Sequence, residues 1–209
     1  TLVWIWESII EAVPIKKIIN KNLVSIPVWF VYLIGLLPAV ILFGKAFLNL
    51  LGPDPVKMLE HALGEYALIF LIFLLMFSPI KKLFDLNFFK FRRAIGLLAF
   101  WYVFLHFFTY LILDQQLIGD LIIKDLLKRP YIIIGISGFL ALIPLALTSN
   151  RWSIRYLGFY NWKRLHLFVY LASFLGVSHY LMLVKSWPIK PLLYFLTVML
   201  LILFRFGWK

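Results

Sequence analysis

The sequence contains no cysteine and is poor in charged residues. None of its 209 residues is Cys, which excludes disulfide exchange, thiol catalysis, thiolate-ligated haem and cysteine-ligated iron–sulfur clusters. Charged side chains make up 14% of the chain, whereas a soluble domain carries roughly 25%. We therefore expect this chain to lie in a membrane.

Apolar residues make up 64% of the chain and fall in long runs separated by polar residues. A helix needs about 20 apolar residues to cross a bilayer. We predict an all-α integral membrane protein with a six-helix transmembrane bundle, its spans at about residues 27–44, 55–78, 94–113, 131–148, 165–184 and 191–206. Asp54 and Pro55 are a typical helix start, and Pro79 is predicted to end the second span.

Two further stretches have patterns that do not favour crossing the membrane. Residues 1–25 mix apolar and polar side chains and contain Pro14, which indicates an amphipathic segment at the interface. Residues 117–127 carry Asp120, Lys124 and Asp125 and are predicted to form a short surface helix. The expected organisation is an interfacial segment at 1–25 followed by one membrane domain at 26–209.

The basic residues determine the expected orientation of the spans. With the N-terminus in the cytoplasm, 14 of the 21 basic residues fall on the cytoplasmic side, together with three of the nine acidic residues. Cytoplasmic loops of membrane proteins are rich in Lys and Arg. Both termini are therefore predicted to be cytoplasmic, and the net charge of +12 indicates topology rather than nucleic-acid binding.

Four histidines stand out in this apolar chain: His61, His106, His166 and His179. His106 lies thirteen residues after Arg93, and His179 lies thirteen residues after His166, or about 20 Å along a helix. His106 and His179 are thus expected at similar depths, in the outer half of two different helices. Imidazoles on facing helices are a common way to bind haem.

His166 is predicted at the cytoplasmic mouth of the fifth span, where it is a candidate ligand of a second haem. An ideal helix would direct His166 and His179 toward different faces, so Gly176 is a candidate site of helix distortion. Arg92, Arg93 and Arg164 lie at the same level and are candidate partners for haem propionates or a flavin phosphate. Topology and lipid contact explain these basic residues equally well.

A purely structural role remains open for each histidine, because a buried imidazole can simply donate a hydrogen bond to a neighbouring helix. This alternative is strongest for His61, which is expected near the outer interface. It is weakest for His106 and His179, which share a depth and have apolar neighbours.

Several motifs resemble the MsrQ family, within the ferric-reductase-like transmembrane superfamily. They follow the family order over most of the chain: Leu51-Gly-Pro-Asp-Pro-Val-Lys57 with His61 and Gly64, Arg92-Arg93-Ala-Ile-Gly96, Leu105-His106, Arg129-Pro130-Tyr131, Trp162-Lys-Arg-Leu-His166 and His179-Tyr180-Leu181. The chain departs from the family at Ala62 and Leu63, where an aromatic residue and Thr are common.

This resemblance implies a haem b subunit of the bacterial inner membrane, which supplies electrons to a periplasmic molybdopterin enzyme, MsrP, that repairs oxidised methionine. It implies one or two haems with His106, His166 and His179 as axial ligands, a further family histidine at His61, and a possible association with FMN. The chain would then be an electron-transfer subunit rather than the catalytic one. Expected donors are a cytoplasmic flavin reductase or the quinone pool, because the sequence has no Gly-rich dinucleotide fingerprint.

Two alternative functions remain open at this stage. One is a related haem b reductase, linked to ferric iron or quinone, with another electron acceptor. The other, of a different class, is a haem-free transporter or membrane scaffold whose histidines are structural.

Overall fold

The computed structural model describes residues 15–183 and 189–207. Within these ranges the helices are α1 (Ile15–Ser25), α2 (Val28–Phe47), α3 (Pro55–Phe84), α4 (Arg92–Phe108), α5 (Gly119–Lys128), α6 (Pro130–Leu147), α7 (Arg151–Leu165), α8 (Phe168–Leu183) and α9 (Ile189–Gly207). A 3-10 turn at Phe89–Phe91 leads into α4, and a π-helical turn at Thr109–Asp114 follows it. The predicted all-α class is confirmed, while residues 1–14, including Pro14, lie outside the described part.

Among the described residues, five helical segments are long and apolar enough to cross a membrane: Val28–Phe47, Pro55–Phe84, Phe89–Asp114, Pro130–Leu147 and Ile189–Gly207. α7 and α8 together would form a sixth span, bent by 42° at the break between them. The predicted short helix near residues 117–127 is also present, as α5.

The predicted end of the second span was wrong. α3 does not end at Pro79 but continues to Phe84. Helices in a membrane tolerate an internal proline, because the backbone groups that it frees can bond elsewhere. It ends at Asp85, whose left-handed backbone (φ 57°) stops the helix and whose carboxylate pairs with Lys81. The start of α3 is as predicted, with the Asp54 side chain accepting from the Lys57 amide at 3.2 Å.

The fifth span departs from a single helix over residues 165–184. It begins as α7, a helix over Arg151–Leu165 that the sequence did not predict, and the chain bends before α8. α7 itself contains a turn at Gly158, where a φ of 73° favours glycine. The distortion expected at Gly176 is not found, since Gly176 lies inside the continuous helix α8.

Proline also shapes α2, where Pro38 interrupts the helical hydrogen bonding. The hydroxyl of Tyr102 on α4 fills the opened turn, accepting from the Ala39 amide at 3.0 Å and donating to the Gly35 carbonyl at 2.8 Å. These two backbone groups are four residues apart, so they would bond each other in a regular helix. Tyr102 is fully buried, and its hydroxyl attaches α2 to the bundle.

The bundle is organised around two closely packed helix pairs. α3 packs mainly against α4, and α6 mainly against α8. Phe100 on α4 and Phe139 on α6 stack between the pairs, with ring centres 5.9 Å apart. The space between the pairs holds the candidate functional site.

Candidate functional site

Two cavities lie toward opposite ends of the bundle. The first, of about 720 Å³, is lined by the N-terminal halves of α3 and α6 and the C-terminal parts of α4 and α8. The second, of about 430 Å³, is lined by the opposite ends of α4 and α6 together with α7. Both volumes fall in the range of small-molecule and cofactor sites, which is roughly 300–1,000 Å³. Leu142 lines both cavities, so they adjoin.

His106 and His179 meet across the first cavity. His106 is on α4 and His179 is on α8, and their ring centres are 6.1 Å apart with the ring planes at 80°. Their depths were expected to match, and the fold brings the two rings together. His61 also lines this cavity, on an exposed part of α3.

Backbone carbonyls from two other helices orient both imidazoles. Nδ1 of His106 lies 2.9 Å from the Glu60 carbonyl on α3, and Nδ1 of His179 lies 2.7 Å from the Tyr131 carbonyl on α6. A carbonyl can only accept, so each Nδ1 carries the proton. Each Nε2 is then an unprotonated nitrogen with a free lone pair. Metal-binding histidines are commonly held in this way.

Two glycines allow the helices to approach the imidazoles. A Cβ at Gly135 on α6 would lie 2.7 Å from Nδ1 of His179, and a Cβ at Gly64 on α3 would lie 3.1 Å from Nδ1 of His106. Any larger residue would compete with the rings for this space. The two positions are therefore part of the site, although in the sequence Gly64 stands out only through the family resemblance and Gly135 does not stand out.

The polar residues of the first cavity include Lys57, Glu60 and Asp114, together with Arg129 at the start of α6. The Arg129 guanidinium is held by Asp125 of α5, with Nε 3.1 Å from Oδ1. Tyr110, in the π-helical turn, donates to the same carboxylate at 3.3 Å. This end of the cavity is polar, whereas its interior wall is mainly apolar.

The second cavity is strongly basic. Arg92 and Arg93, which were predicted at this level, line its wall. Three further cations join them from helices distant in sequence: Arg151, Lys163 and Arg205. No Asp or Glu is among the described residues that line it. Such a cavity favours an anionic ligand.

His166 lines this second cavity, in the break between α7 and α8. Its Nε2 lies 3.1 Å from the Thr148 hydroxyl, which itself donates to the Pro144 carbonyl at 2.6 Å. The hydroxyl therefore accepts from Nε2–H, which leaves Nδ1 of His166 with the free lone pair. Trp162 packs on the imidazole with ring centres 4.1 Å apart and donates to the Thr148 carbonyl.

Arg164, predicted alongside Arg92 and Arg93, does not line the second cavity. It is exposed, and its guanidinium lies over the Tyr160 ring, 5.6 Å from the ring centre. Lys163 takes the place in the wall that the sequence assigned to its neighbour. The fold around the bend before His166 decides which of the two adjacent, exposed cations lines the cavity, and the sequence contains no signal for that choice.

Comparison with known proteins identifies the family. Residues 62–177 match the model of the ferric reductase like transmembrane component, over more than half of the chain. The protein-methionine-sulfoxide reductase heme-binding subunit MsrQ of Brucella anthropi is 48% identical over 178 residues, which cover 85% of this chain and 80% of the relative. The Brucella ovis subunit of the same name is 48% identical over 177 residues, with the same coverage. The chain belongs to the MsrQ family.

Membership in this family, together with the apolar helices, makes the chain a multi-pass membrane protein with a redox role. The region matched by the family model includes His106 and His166, whereas His61 and His179 lie just outside it. No solved structure matches the chain.

Proposed function

We propose that this protein carries electrons through haem b across the bacterial inner membrane to a periplasmic molybdopterin methionine sulfoxide reductase, MsrP. Membership in the MsrQ family supports this proposal, because the curated relatives are named as heme-binding subunits of a methionine sulfoxide reductase. The observation that carries it is the pair His106 and His179, each with one nitrogen bonded to a carbonyl and the other free.

The spacing of this pair fits a bis-imidazole iron. A metal bound by an imidazole nitrogen on each side, at about 2 Å, places the ring centres roughly 6.4 Å apart, since each centre lies about 1.2 Å behind its nitrogen. The observed separation is 6.1 Å. The apolar cavity wall suits a macrocycle. Lys57 and Arg129, which pair with Asp54 and Asp125, line the same cavity and would be the cations nearest to its propionates. A haem held there supplies a one-electron iron couple.

The second cavity is proposed to hold an anionic cofactor, either a second haem or FMN. Arg92, Arg93, Arg151, Lys163 and Arg205 can bind propionates or a phosphate. His166 offers Nδ1 as a ligand, although no second histidine lines this cavity among the described residues. The lining residues therefore support two different sites: a first cavity with a histidine pair and a second cavity rich in cations.

The arrangement of the cavities supports electron transfer along the bundle axis. Because Leu142 lines both, cofactors in the two cavities would be separated by little more than side chains. With the positive-inside orientation, the basic cavity lies on the cytoplasmic side. Electrons would enter there from a flavin reductase or the quinone pool. They would leave from the His106–His179 side, where Asp54, Lys57, Asp120 and Lys124 offer charged contacts to MsrP.

Visible spectroscopy of the purified protein tests the haem assignment, and pyridine haemochrome analysis counts the haems. His106→Ala and His179→Ala should each abolish the low-spin spectrum of the bis-histidine haem. His61→Ala, at an exposed position of the same cavity, is the matched control and should keep it. A full complement of b-type haem in His106→Ala would contradict the assignment.

A reconstituted system tests the acceptor separately. Proteoliposomes with a reductant inside and MsrP with oxidised methionine outside should reduce the sulfoxide, and the rate should fall to background with His106→Ala. Haem reduction without sulfoxide reduction would leave the haem assignment standing and would refute MsrP as the acceptor.

A further inference from the structure

The short helix α5 differs from the membrane-spanning helices, because none of its residues is buried. Its ten residues extend about 15 Å, too short to cross a bilayer. Three of its large apolar side chains are exposed: Leu121, Ile123 and Leu127. The order of apolar and charged side chains around the helix indicates what these exposed side chains contact.

Three sectors follow one another around α5, since successive residues are about 100° apart. The first sector faces the bundle and contains Asp125, Ile122 and Leu126, all partly buried. The next contains Ile123 and Leu127, which are 58% and 81% exposed. The third sector is charged: Asp120, Lys124 and Lys128, all exposed. Leu121 lies between the charged sector and the bundle.

This order matches a helix lying flat at the edge of a membrane protein. Such a helix has protein on one side, acyl chains below it and water above it. Apolar side chains of the segments that flank α5 in the chain are exposed as well. Ile112 and Leu113, before α5, are 47% and 45% exposed, and Ile133, after it, is 52% exposed. Membrane-spanning segments at these positions expose such side chains to lipid.

We infer that α5 is an interfacial helix, with Ile123 and Leu127 in the acyl region of the bilayer leaflet on the side of the His106–His179 cavity. The sector of α5 that faces the bundle connects the helix to the cavity. Asp125, with a side chain only 13% exposed, holds both Arg129 and Tyr110, and both of these line the cavity. Contact with lipid on one side of α5 would therefore stabilise the positions of Arg129 and Tyr110 in the cavity wall on the other side.

Single-cysteine spin labelling tests this directly, because the chain has no native cysteine that would need to be removed. The variants are Ile123→Cys and Leu127→Cys for the apolar sector, and Lys124→Cys with Lys128→Cys as matched controls in the charged sector. Each is labelled in the full-length protein, reconstituted in lipid nanodiscs. Collision with oxygen, which partitions into lipid, is compared with collision with a water-soluble nickel chelate.

Labels at 123 and 127 should favour oxygen several-fold over the chelate, and labels at 124 and 128 should show the reverse. Leu126→Cys, in the bundle-facing sector, should be poorly accessible to both. Chelate access at 123 and 127 equal to that at 124 would overturn the proposal, because the face would then be open to water and available to a protein. Low access to both reagents at 123 and 127 would also overturn it, since other protein would then cover the face. An unchanged visible spectrum verifies that each variant is folded.

Discussion

Gly135 is the position where one added methyl group should disturb the histidine pair most directly. A Cβ there would lie 2.7 Å from Nδ1 and 3.0 Å from Cε1 of His179, whereas ordinary contact begins at 3.4 Å. The imidazole would have to move by about 0.7 Å, because α6 and α8 are closely packed. That movement would stretch or break the 2.7 Å hydrogen bond to the Tyr131 carbonyl.

The added methyl group is expected to destabilise mainly the haem-bound protein. In the free protein the His179 ring can rotate away from the added methyl group, but a ligating ring must stay where the metal is. Overpacking of this kind costs about 1–3 kcal/mol. At about 1.4 kcal/mol per tenfold change, we expect Gly135→Ala to weaken haem binding roughly 5- to 150-fold.

Two other glycines provide a graded control series. A Cβ at Gly64 would lie 3.1 Å from Nδ1 of His106, so Gly64→Ala should have a smaller effect in the same direction. At Gly96, which lines the second cavity, the nearest atom is Cδ2 of Leu74 at 3.5 Å, which is ordinary contact, and Gly96→Ala should bind the His106–His179 haem normally. Haem titration into each apoprotein measures affinity. Thermal unfolding, followed by tryptophan fluorescence, separates this effect from a general loss of stability.

Haem binding by Gly135→Ala as tight as by Gly96→Ala, with an unchanged low-spin spectrum, would contradict this prediction. His179 would then not be held by α6 in the haem-bound protein. A loss of the His106–His179 haem in Gly96→Ala as large as in Gly135→Ala would contradict it as well, because the effect would not depend on proximity to the imidazoles.

Three further predictions concern polar contacts between helices. Tyr102→Phe should destabilise the fold by about 1–3 kcal/mol, because it leaves two backbone groups of α2 without partners. Unfolding in detergent measures this loss. Adding Pro38→Ala should reduce the loss, because the turn of α2 could then close. Thr148→Val should lower cofactor retention in the second cavity and leave the His106–His179 haem intact, as shown by separate quantification of flavin and of each haem spectrum. Glu65→Gln breaks a half-exposed ion pair with Lys190 and should cost less than about 1 kcal/mol in the same unfolding assay, without loss of haem.

Much of the architecture could be predicted from local signals. The Asp54 cap and Pro55 mark the start of α3, and the alternation of apolar and charged residues near 117–127 marks α5. The failure at Pro79 has a clear cause. Proline ends helices reliably in water, but in a bilayer the chain gains more by remaining helical on both sides of a kink.

The candidate site was less predictable than the helices. The expected distortion of the fifth span lies at residues 166–167 rather than at Gly176, so His166 is not on α8 and no conflict of helix faces arises. The exchange of Arg164 for Lys163 in the wall of the second cavity depends on the same bend. Arg151 and Arg205 join that wall from separate helices, which sequence spacing cannot bring together.

The sequence by itself determined that this chain is helical, lies in a membrane, and carries His106 and His179 at similar depths. These properties depend on side-chain hydrophobicity and on the rise per residue, and both act locally. Only the tertiary structure decided how the helices are rotated and paired. Rotation about each helix axis turns the two imidazoles toward each other, and the Glu60 and Tyr131 carbonyls of other helices select their protonated nitrogens. Those contacts join residues 46 and 48 positions apart in the chain, so they exist only once the helices have packed.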